Sequence, residues 1–326
     1  MNTFKLKLTS CGLPFWITTA IISEAIIVPG SNGANRSNTN IENLKNIAPE
    51  FSYYNNVVGI AGGAGVYLGE SVQRDVGYVL TADHLGSANT ISVNGSSYNV
   101  ISGQQINNSD LKLFTIQTGT DGNLPNLPNI EFATLARKSD EETLMFGRGT
   151  RREGTDNNSN TSDMVKNGNF DVFNWGAKSS TISFGTNNVS QIPFYLGSGT
   201  SANWTTPLGY QDSSFFLNFD DPGKGNYNDS HEGVASSGDS GGPIFVKENG
   251  QWKLAGITSF VMKRGTQPNG TSAFGNSTGI VDLSKYNGSL PTLYQTPVPE
   301  PSTTMLLIFG AGTLLTYRNR IRSFTR

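Results

Sequence analysis

A serine enclosed by glycines, in the stretch Ser237-Gly238-Asp239-Ser240-Gly241-Gly242-Pro243, constrains this 326-residue chain more than any other feature. Glycine reaches backbone conformations that other residues adopt only with strain, so the chain can turn sharply here and approach another molecule closely. Ser240 is therefore a candidate nucleophile. A serine hydroxyl is a weak nucleophile at neutral pH, and it needs a nearby base, normally histidine, together with a third group that orients this base.

The histidine content decides which kind of serine site is possible. The chain has two histidines, His84 and His231, and both precede Ser240. The pattern G-x-S-x-G around Ser240 also occurs in the nucleophile elbow of α/β-hydrolases, where the histidine follows the serine. Because no histidine follows Ser240, the sequence excludes that arrangement. His231 lies in a polar run and is predicted to be a surface residue.

Two predicted strands carry the remaining candidates. His84 comes at the end of an apolar run, and Asp110 stands directly before residues 111–116, where Leu and Ile alternate with other residues as in a half-buried strand. The order histidine, aspartate, serine is one of the orders in which catalytic triads occur along a chain. Asp83 and Asp121 stay open as alternatives to Asp110.

The three stretches resemble the T-A-x-H, D-[IL]-x-L and G-D-S-G-G-P motifs of the trypsin-like (chymotrypsin-fold) serine proteases, in the order of that family. The resemblance implies an all-β fold of two six-stranded Greek-key β-barrels with the active site in the cleft between them. It also implies a serine endopeptidase that hydrolyses peptide bonds through an acyl-enzyme. His84, Asp110 and Ser240 would form the triad, and the peptide N–H groups of Gly238 and Ser240 would form the oxyanion hole.

The same resemblance assigns a specificity pocket. Val234 stands six residues before the candidate nucleophile, at the base of the pocket, and Ser259, Phe260 and Val261 correspond to a strand that lines it. An apolar base and a valine in place of glycine predict a preference for small or medium apolar side chains. In this family the aspartate beside the nucleophile, here Asp239, receives a newly formed N-terminal ammonium group. Its partner in this chain stays open.

The composition is typical of an exported β protein. Charged residues make up 15% of the chain and 38 residues are glycine, which favours a loop-rich β fold over a helical bundle. Without the terminal segments the net charge is about −7, which argues against nucleic acid as a partner. The single cysteine, Cys11, lies in an N-terminal apolar segment, so we expect no disulfide in the mature protein. With no clustered ligand set, we expect neither a metal nor a cofactor.

Both ends of the chain resemble targeting signals. Lys5 and Lys7 precede an apolar stretch, which predicts an export signal that is cleaved after Ala25 or Ala34. Near the other end, residues 299–301 read Pro-Glu-Pro and precede an uncharged run and a basic terminus. This combination resembles the PEP-CTERM sorting signal, which implies recognition by an exosortase-type processing enzyme. A retained membrane anchor is the alternative at either end.

The predicted domain organisation follows the chain from end to end. It comprises a signal peptide (1–34), a polar arm or propeptide (35–55), an N-terminal β-barrel (56–118), an inter-barrel linker (119–130), a C-terminal β-barrel (131–290), and a linker with the sorting signal and a short transmembrane segment (291–326). Within the second barrel, residues 150–169 are charged and Asn-rich, and they are predicted to form a surface loop.

The expected partners are a protein or peptide substrate, signal peptidase and the exosortase-type enzyme, with membrane contact only through the terminal segments before processing. The expected location is the cell envelope, cell surface or extracellular matrix of a bacterium, after transient anchoring in the inner membrane. Two alternative functions stay open. One is a catalytically inactive protease-fold module that binds surface polymers, and the other is a serine esterase that uses the same triad.

Overall fold

The structure is a computed structural model. It describes residues 26–28, 41–72, 75–119, 122–152, 164–167, 170–178, 181–190, 204–205, 209–221, 231–263 and 267–293. The predicted signal peptide before residue 26, the candidate acid Asp121 and the predicted sorting signal lie outside these ranges. Within the described part of the chain, no helix has the length and apolar character needed to cross a membrane.

Strands make up most of the regular structure. The helices are α1 (Ile41–Ile47) and short 3-10 turns at Tyr54–Asn56, Asp83–Leu85, Leu283–Lys285 and Asn287–Ser289. The strands, in chain order, are β1 (Val57–Ile60), β2 (Gly63–Glu70), β3 (Val76–Thr81), β4 (Thr90–Val93), β5 (Ser96–Gln105), β6 (Lys112–Gln117), β7 (Glu142–Gly147), β8 (Thr150–Arg152), β9 (Met164–Asn167), β10 (Phe170–Lys178), β11 (Ser183–Ser190), β12 (Trp204–Thr205), β13 (Gln211–Asp212), β14 (Ser214–Asn218), β15 (Pro243–Glu248), β16 (Gln251–Met262), β17 (Thr271–Ser272) and β18 (Ser277–Asp282).

The first barrel closes in the strand order β1-β2-β3-β6-β5-β4, with antiparallel neighbours. The sequence pattern of strand β4 matches its place in this barrel. Ile91 and Val93 are buried, and the residues beside them are exposed. This is the period of two expected of a strand with one face on a core. Asn94 and Gly95, with φ of +47° and +84°, connect β4 to β5, as a two-residue hairpin requires.

The second barrel closes in the order β11-β14-β18-β16-β15-β7. Most residues of its strands are buried, and β18 is buried at every residue. Asn249 and Gly250, with φ of +54° and +79°, form the hairpin turn between β15 and β16. The two closed, six-stranded antiparallel barrels confirm the predicted fold class.

A small additional sheet differs from the predicted surface loop at residues 150–169. Strands β8, β10 and β17 pair in that order, and β9 pairs with β10. Its side chains include Phe173, which is fully buried in a cluster with Ile27, Phe219 and Val234. The sequence did not predict this sheet, because residues 150–169 are charged and Asn-rich and the apolar residues that anchor the sheet lie downstream, in β10.

The segment before the first barrel packs on the second barrel. Leu44 of α1 is buried, and the ring of Phe51 stacks on Phe146 with a centroid distance of 5.1 Å and meets Phe245 edge-on at 4.9 Å. Aromatic pairs in these arrangements stabilise a fold beyond the area they bury. Part of the segment predicted to be a polar arm or propeptide is therefore joined to the core.

Residues 26–28 also lie against the second barrel. Ile27 exchanges two backbone hydrogen bonds of 3.0 Å with Val234, and both Ile26 and Ile27 are buried. The side chain of Ile26 contacts Gly185 and Gly233 where a side chain at either glycine would collide with it. Residues 26–28 are thus held against the second barrel.

Candidate active site

The structure brings His84 and Asp110 together. His84 lies in the 3-10 turn that follows β3, and Asp110 lies in the turn before β6, the strand that pairs with β3. The ring Nδ1 of His84 is 2.8 Å and 3.0 Å from the two carboxylate oxygens of Asp110, and the peptide N–H of His84 donates to Oδ1 at 2.9 Å. Two hydrogen bonds to one carboxylate fix both the backbone and the ring of the histidine. With Nδ1 engaged, Nε2 is the nitrogen available for proton transfer.

The carboxylate of Asp110 is fully buried, and the second barrel reaches it through Ser259 on β16. The Ser259 hydroxyl donates to Oδ2 of Asp110. A buried carboxylate is costly unless its oxygens accept hydrogen bonds, and this one accepts them from both barrels. Ser259, predicted as a pocket residue, is therefore also part of the surroundings of Asp110.

The loop that carries Ser240 is pressed against the first barrel at Gly241. Its φ is +81°, and a Cβ there would lie 2.1 Å from the carbonyl oxygen of Ala64 and 2.2 Å from the hydroxyl of Thr81. Only glycine fits this conformation and this contact together. Since Thr81 ends β3, three residues before His84, the fit brings the serine loop next to the histidine turn.

In the loop of residues 237–243, here called the serine loop, some peptide N–H groups donate to backbone carbonyls and others do not. The N–H groups of Asp239, Gly241 and Gly242 donate to backbone carbonyls at 2.8–3.1 Å. Within the described residues, the N–H groups of Gly238 and Ser240 donate to none. Two unused donors on alternate residues, beside the candidate nucleophile, are what an oxyanion hole requires.

Ser240 and the histidine turn approach the same point, Gly63 at the start of β2. The carbonyl oxygen of Ser240 and a methyl carbon of Leu85 each lie 2.6 Å from the position of a Cβ on Gly63. The same carbonyl accepts a hydrogen bond of 2.8 Å from Ala64. Among the described residues no hydrogen bond joins the Ser240 hydroxyl to His84, so the triad assignment of Ser240 stays a prediction.

Asp239 directly precedes Ser240 in this loop, and its side chain is fully buried. Its carboxylate accepts hydrogen bonds from the Gly149 N–H at 2.6 Å and from the Ser236 N–H and hydroxyl at 2.7 Å and 2.9 Å. These donors are neutral groups, and burial raises the pKa of Asp239 from its ordinary value of 3.8 to about 7. Both this carboxylate and the side chain of Ile26 contact Gly147.

The predicted pocket residues surround an apolar cluster. Val234 is fully buried and packs with Phe173 and Phe219, and Val261 packs against the same cluster. Phe260 is partly exposed and covers Gly279, where a Cβ would lie 2.4 Å from its ring. The pocket assignment of these residues stays a prediction. A separate groove of about 1660 Å³ runs along the inter-barrel linker, and none of the predicted site residues lines it.

Other charged residues surround the His84–Asp110 pair. The alternative acid Asp83 contacts Lys112 at 3.0 Å and accepts a hydrogen bond of 2.9 Å from Tyr210. Asp212 accepts one of 3.1 Å from the Asp110 peptide N–H. Sequence reasoning missed Tyr210 and Asp212 because nothing in the local pattern marks them. Within the described residues, no group of three His, Cys, Asp or Glu side chains could hold a metal ion.

Comparisons with known proteins bear mainly on the C-terminal end of the chain. Residues 297–322 match the PEP-CTERM protein-sorting motif, which confirms the predicted sorting signal and marks the protein for export and sorting to the cell envelope. This motif implies recognition by an exosortase-type processing enzyme. No curated protein matches the sequence.

Two solved structures resemble the chain over 69% of its length. One is neuropsin, a serine protease expressed in the limbic system of mouse brain, with 19% identity, a TM-score of 0.42 and 85% of its own chain covered. The other is kallikrein-related peptidase 10, with 15% identity, a TM-score of 0.41 and 85% of its chain covered. The fold assignment itself rests on the two closed barrels described above.

Proposed function

We propose that this protein is an exported serine endopeptidase that uses His84, Asp110 and Ser240. The observation that carries the proposal is the combination of a doubly hydrogen-bonded His84–Asp110 pair with a facing serine loop whose two unused N–H groups flank Asp239. An inactive binding module has no need for a buried carboxylate that orients a histidine ring. Such a carboxylate is costly, which favours the enzyme over that alternative.

In the proposed reaction, the Ser240 hydroxyl oxygen attacks the substrate carbonyl carbon while Nε2 of His84 takes the hydroxyl proton. The carbonyl oxygen becomes an oxyanion that accepts hydrogen bonds from the N–H groups of Gly238 and Ser240. His84 then gives its proton to the leaving amine as the C–N bond breaks, which leaves an ester on Ser240. Water attacks this ester while His84 takes its proton, and His84 then returns a proton to the Ser240 oxygen as the C–O bond breaks and the acid product leaves. Asp110 stabilises the imidazolium in both half-reactions.

The proposed substrate is a polypeptide with a small or medium apolar residue before the cleaved bond. Val234 provides an apolar base that packs with Phe173, Phe219 and Val261. None of these four described residues carries the negative charge that would recognise Arg or Lys. A peptide library in which only this residue varies would test the preference. Cleavage restricted to Arg or Lys would contradict it.

The central experiment uses a fluorophosphonate probe, which labels activated serines. We expect wild-type protein to be labelled and Ser240→Ala and His84→Ala to lose labelling by about 10³-fold or more. Ser237→Ala and His231→Ala are matched controls, since they change a serine in the same loop and the second histidine of the chain. Equal labelling of wild type and Ser240→Ala would overturn the proposal. Cleavage of an unfolded protein substrate distinguishes an endopeptidase from an esterase, which would hydrolyse only small esters.

The contacts of residues 26–28 support a proposal for maturation. Of the two predicted cleavage sites, the one after Ala25 has small residues at both recognition positions, Ser23 and Ala25. It leaves Ile26 as the first residue, with its side chain already buried beside Gly147, which Asp239 also contacts. We infer that export processing after Ala25 creates the ammonium group that pairs with Asp239. N-terminal sequencing of the secreted protein tests the site.

The C-terminal signal supports a route for the protein. Before processing, the apolar run after the Pro-Glu-Pro motif would hold the chain transiently in the inner membrane, with the arginines that follow it on the cytoplasmic side. Cleavage at the motif would release the two barrels to the cell surface or the extracellular matrix. Deletion of residues 297–326 should then send active protein directly into the medium, which fractionation of the cultures would detect.

A further inference from the structure

Asp212, a buried carboxylate on β13, has no part in the mechanism described above. Its Oδ1 accepts a hydrogen bond of 3.1 Å from the peptide N–H of Asp110, and the hydroxyl of Tyr286 lies 3.4 Å from the same oxygen. The side chain of Asp212 is fully buried. Burying a carboxylate opposes folding unless the site gains something from it. Here the carboxylate holds the backbone of the residue that orients His84.

A second contact comes from the same short segment. Tyr210, two residues before Asp212, donates its hydroxyl hydrogen to the carboxylate of Asp83 at 2.9 Å. Asp83 directly precedes His84 and also contacts Lys112 of β6 at 3.0 Å. One segment on the side of the second barrel therefore holds both turns of the first barrel that carry the His84–Asp110 pair.

We propose that Asp212 is a positioning residue for the His84–Asp110 pair, and that its carboxylate provides a second negative charge that stabilises the His84 imidazolium during the reaction. Asp110 connects the two residues: its peptide N–H lies 3.1 Å from Oδ1 of Asp212, and its carboxylate Oδ2 lies 2.8 Å from Nδ1 of His84. The inference rests on the proposed function. Tyr210 supports the same geometry through Asp83.

The charges around Asp212 decide the pH at which this effect operates. The titratable groups that face it are Asp110, Tyr286 and Tyr210, so no cation among the described residues neutralises it directly. Burial raises the pKa of Asp212 to about 6. Above that pH the carboxylate is ionised and favours an imidazolium nearby, whereas below that pH it is neutral and the effect disappears.

Asp212→Asn separates charge from shape, because asparagine keeps an oxygen that can accept from the Asp110 N–H. We expect kcat to fall about 5- to 20-fold with KM nearly unchanged. We also expect the acid limb of the kcat/KM profile to move to lower pH by about half to one unit, since a negative charge near the imidazolium is lost. Asp220→Asn is the matched control. Burial also raises the pKa of Asp220 to about 6, but no contact with His84 or Asp110 is found among the described residues.

The measurement uses the processed protein and a small ester substrate between pH 5 and 9, with circular dichroism to verify folding. An Asp212→Asn profile and kcat that match those of wild type would overturn the inference. If that variant does not fold, Tyr286→Phe decides, because it removes the hydroxyl that lies 3.4 Å from Oδ1 of Asp212. We expect kcat to fall about 2- to 10-fold for one lost hydrogen bond, and an unchanged kcat would contradict the inference. Wild-type protein that is folded and processed but inactive would instead contradict the proposed function.

Discussion

Adding two residues before Ile26 should slow the reaction of Ser240 by about 10²-fold. The proposed N-terminal ammonium group of Ile26 reaches Asp239 only if Ile26 is the first residue, because its side chain is buried against Gly147, Gly185 and Gly233. An added Gly-Ala pair leaves the burial of Ile26 possible but moves the ammonium away from the carboxylate. The buried carboxylate of Asp239 would then have only neutral hydrogen-bond donors to offset its charge.

The magnitude follows from the burial of Asp239. Its pKa is raised from 3.8 to about 7 with only neutral donors around it, a difference that corresponds to about 4 kcal/mol. An ammonium partner recovers at most this free energy, and the cost of burying the ammonium offsets part of it. Pairing should therefore favour the ordered serine loop by about 10²-fold, with about 10³-fold as the upper bound.

The assay compares fluorophosphonate labelling rates at pH 8 for chains that begin at Ile26 or at the added pair, each with the native Asp239 or with the substitution Asp239→Asn. We expect the extension to slow labelling by about 10²-fold when Asp239 is present and to have little effect in the Asp239→Asn variant, because the two changes remove the same interaction. If the extension does not change the labelling rate, the proposed pairing of the Ile26 ammonium group with Asp239 is refuted. An equally large effect of the extension in both backgrounds would refute it as well.

Three further substitutions test the packing of the site and of the fold. Ser259→Ala should lower kcat/KM about 10-fold with little change in KM, because the carboxylate of Asp110 loses a buried donor. Gly241→Ala should destabilise the fold by more than about 2 kcal/mol in urea unfolding and abolish labelling, whereas Gly250→Ala, with a similar φ but open space around it, should cost only about 1 kcal/mol. Phe51→Ala should lower the free energy of unfolding by about 2–4 kcal/mol without changing the labelling rate.

Much of the fold could be predicted because local signals and global topology agree. The Asn-Gly pairs at 94–95 and 249–250 specify hairpins through their positive φ angles, and the strands on either side alternate as expected. The small sheet at 150–178 was not predicted because β8 and β9 have no apolar pattern of their own and depend on pairing with β10. The burial of Leu44 and Ala48 and the packing of Phe51 were also missed, since polar residues separate the few apolar ones that anchor this segment.

Within the candidate site, residues in local motifs could also be predicted from the sequence, whereas residues brought together by the fold could not. Ser240 and His84 stand in local motifs whose residue types are required by their backbone geometry, so the sequence alone indicated them. Asp212 lies 102 residues from Asp110 in the chain and joins it only when the second barrel closes against the first. Ile26 gives no signal either, because its apolar side chain is indistinguishable from the apolar export segment that precedes it. Contacts made by tertiary closure leave no periodicity to detect.

Ser259 shows why the catalytic pair and the proposed pocket should respond together to substitution. Its hydroxyl contacts Asp110, while Phe260 and Val261, the next residues of β16, lie at the proposed substrate site. The strand is held in place by its pairing with β18, where the register shifts between Thr258 and Phe260, and such an irregularity reorients side chains locally. A bound peptide that pairs with this strand would form hydrogen bonds with the same backbone that positions Ser259. We therefore expect substitutions at Val261 that widen the pocket to change kcat as well as KM, and a change confined to KM would show that the strand does not couple the two.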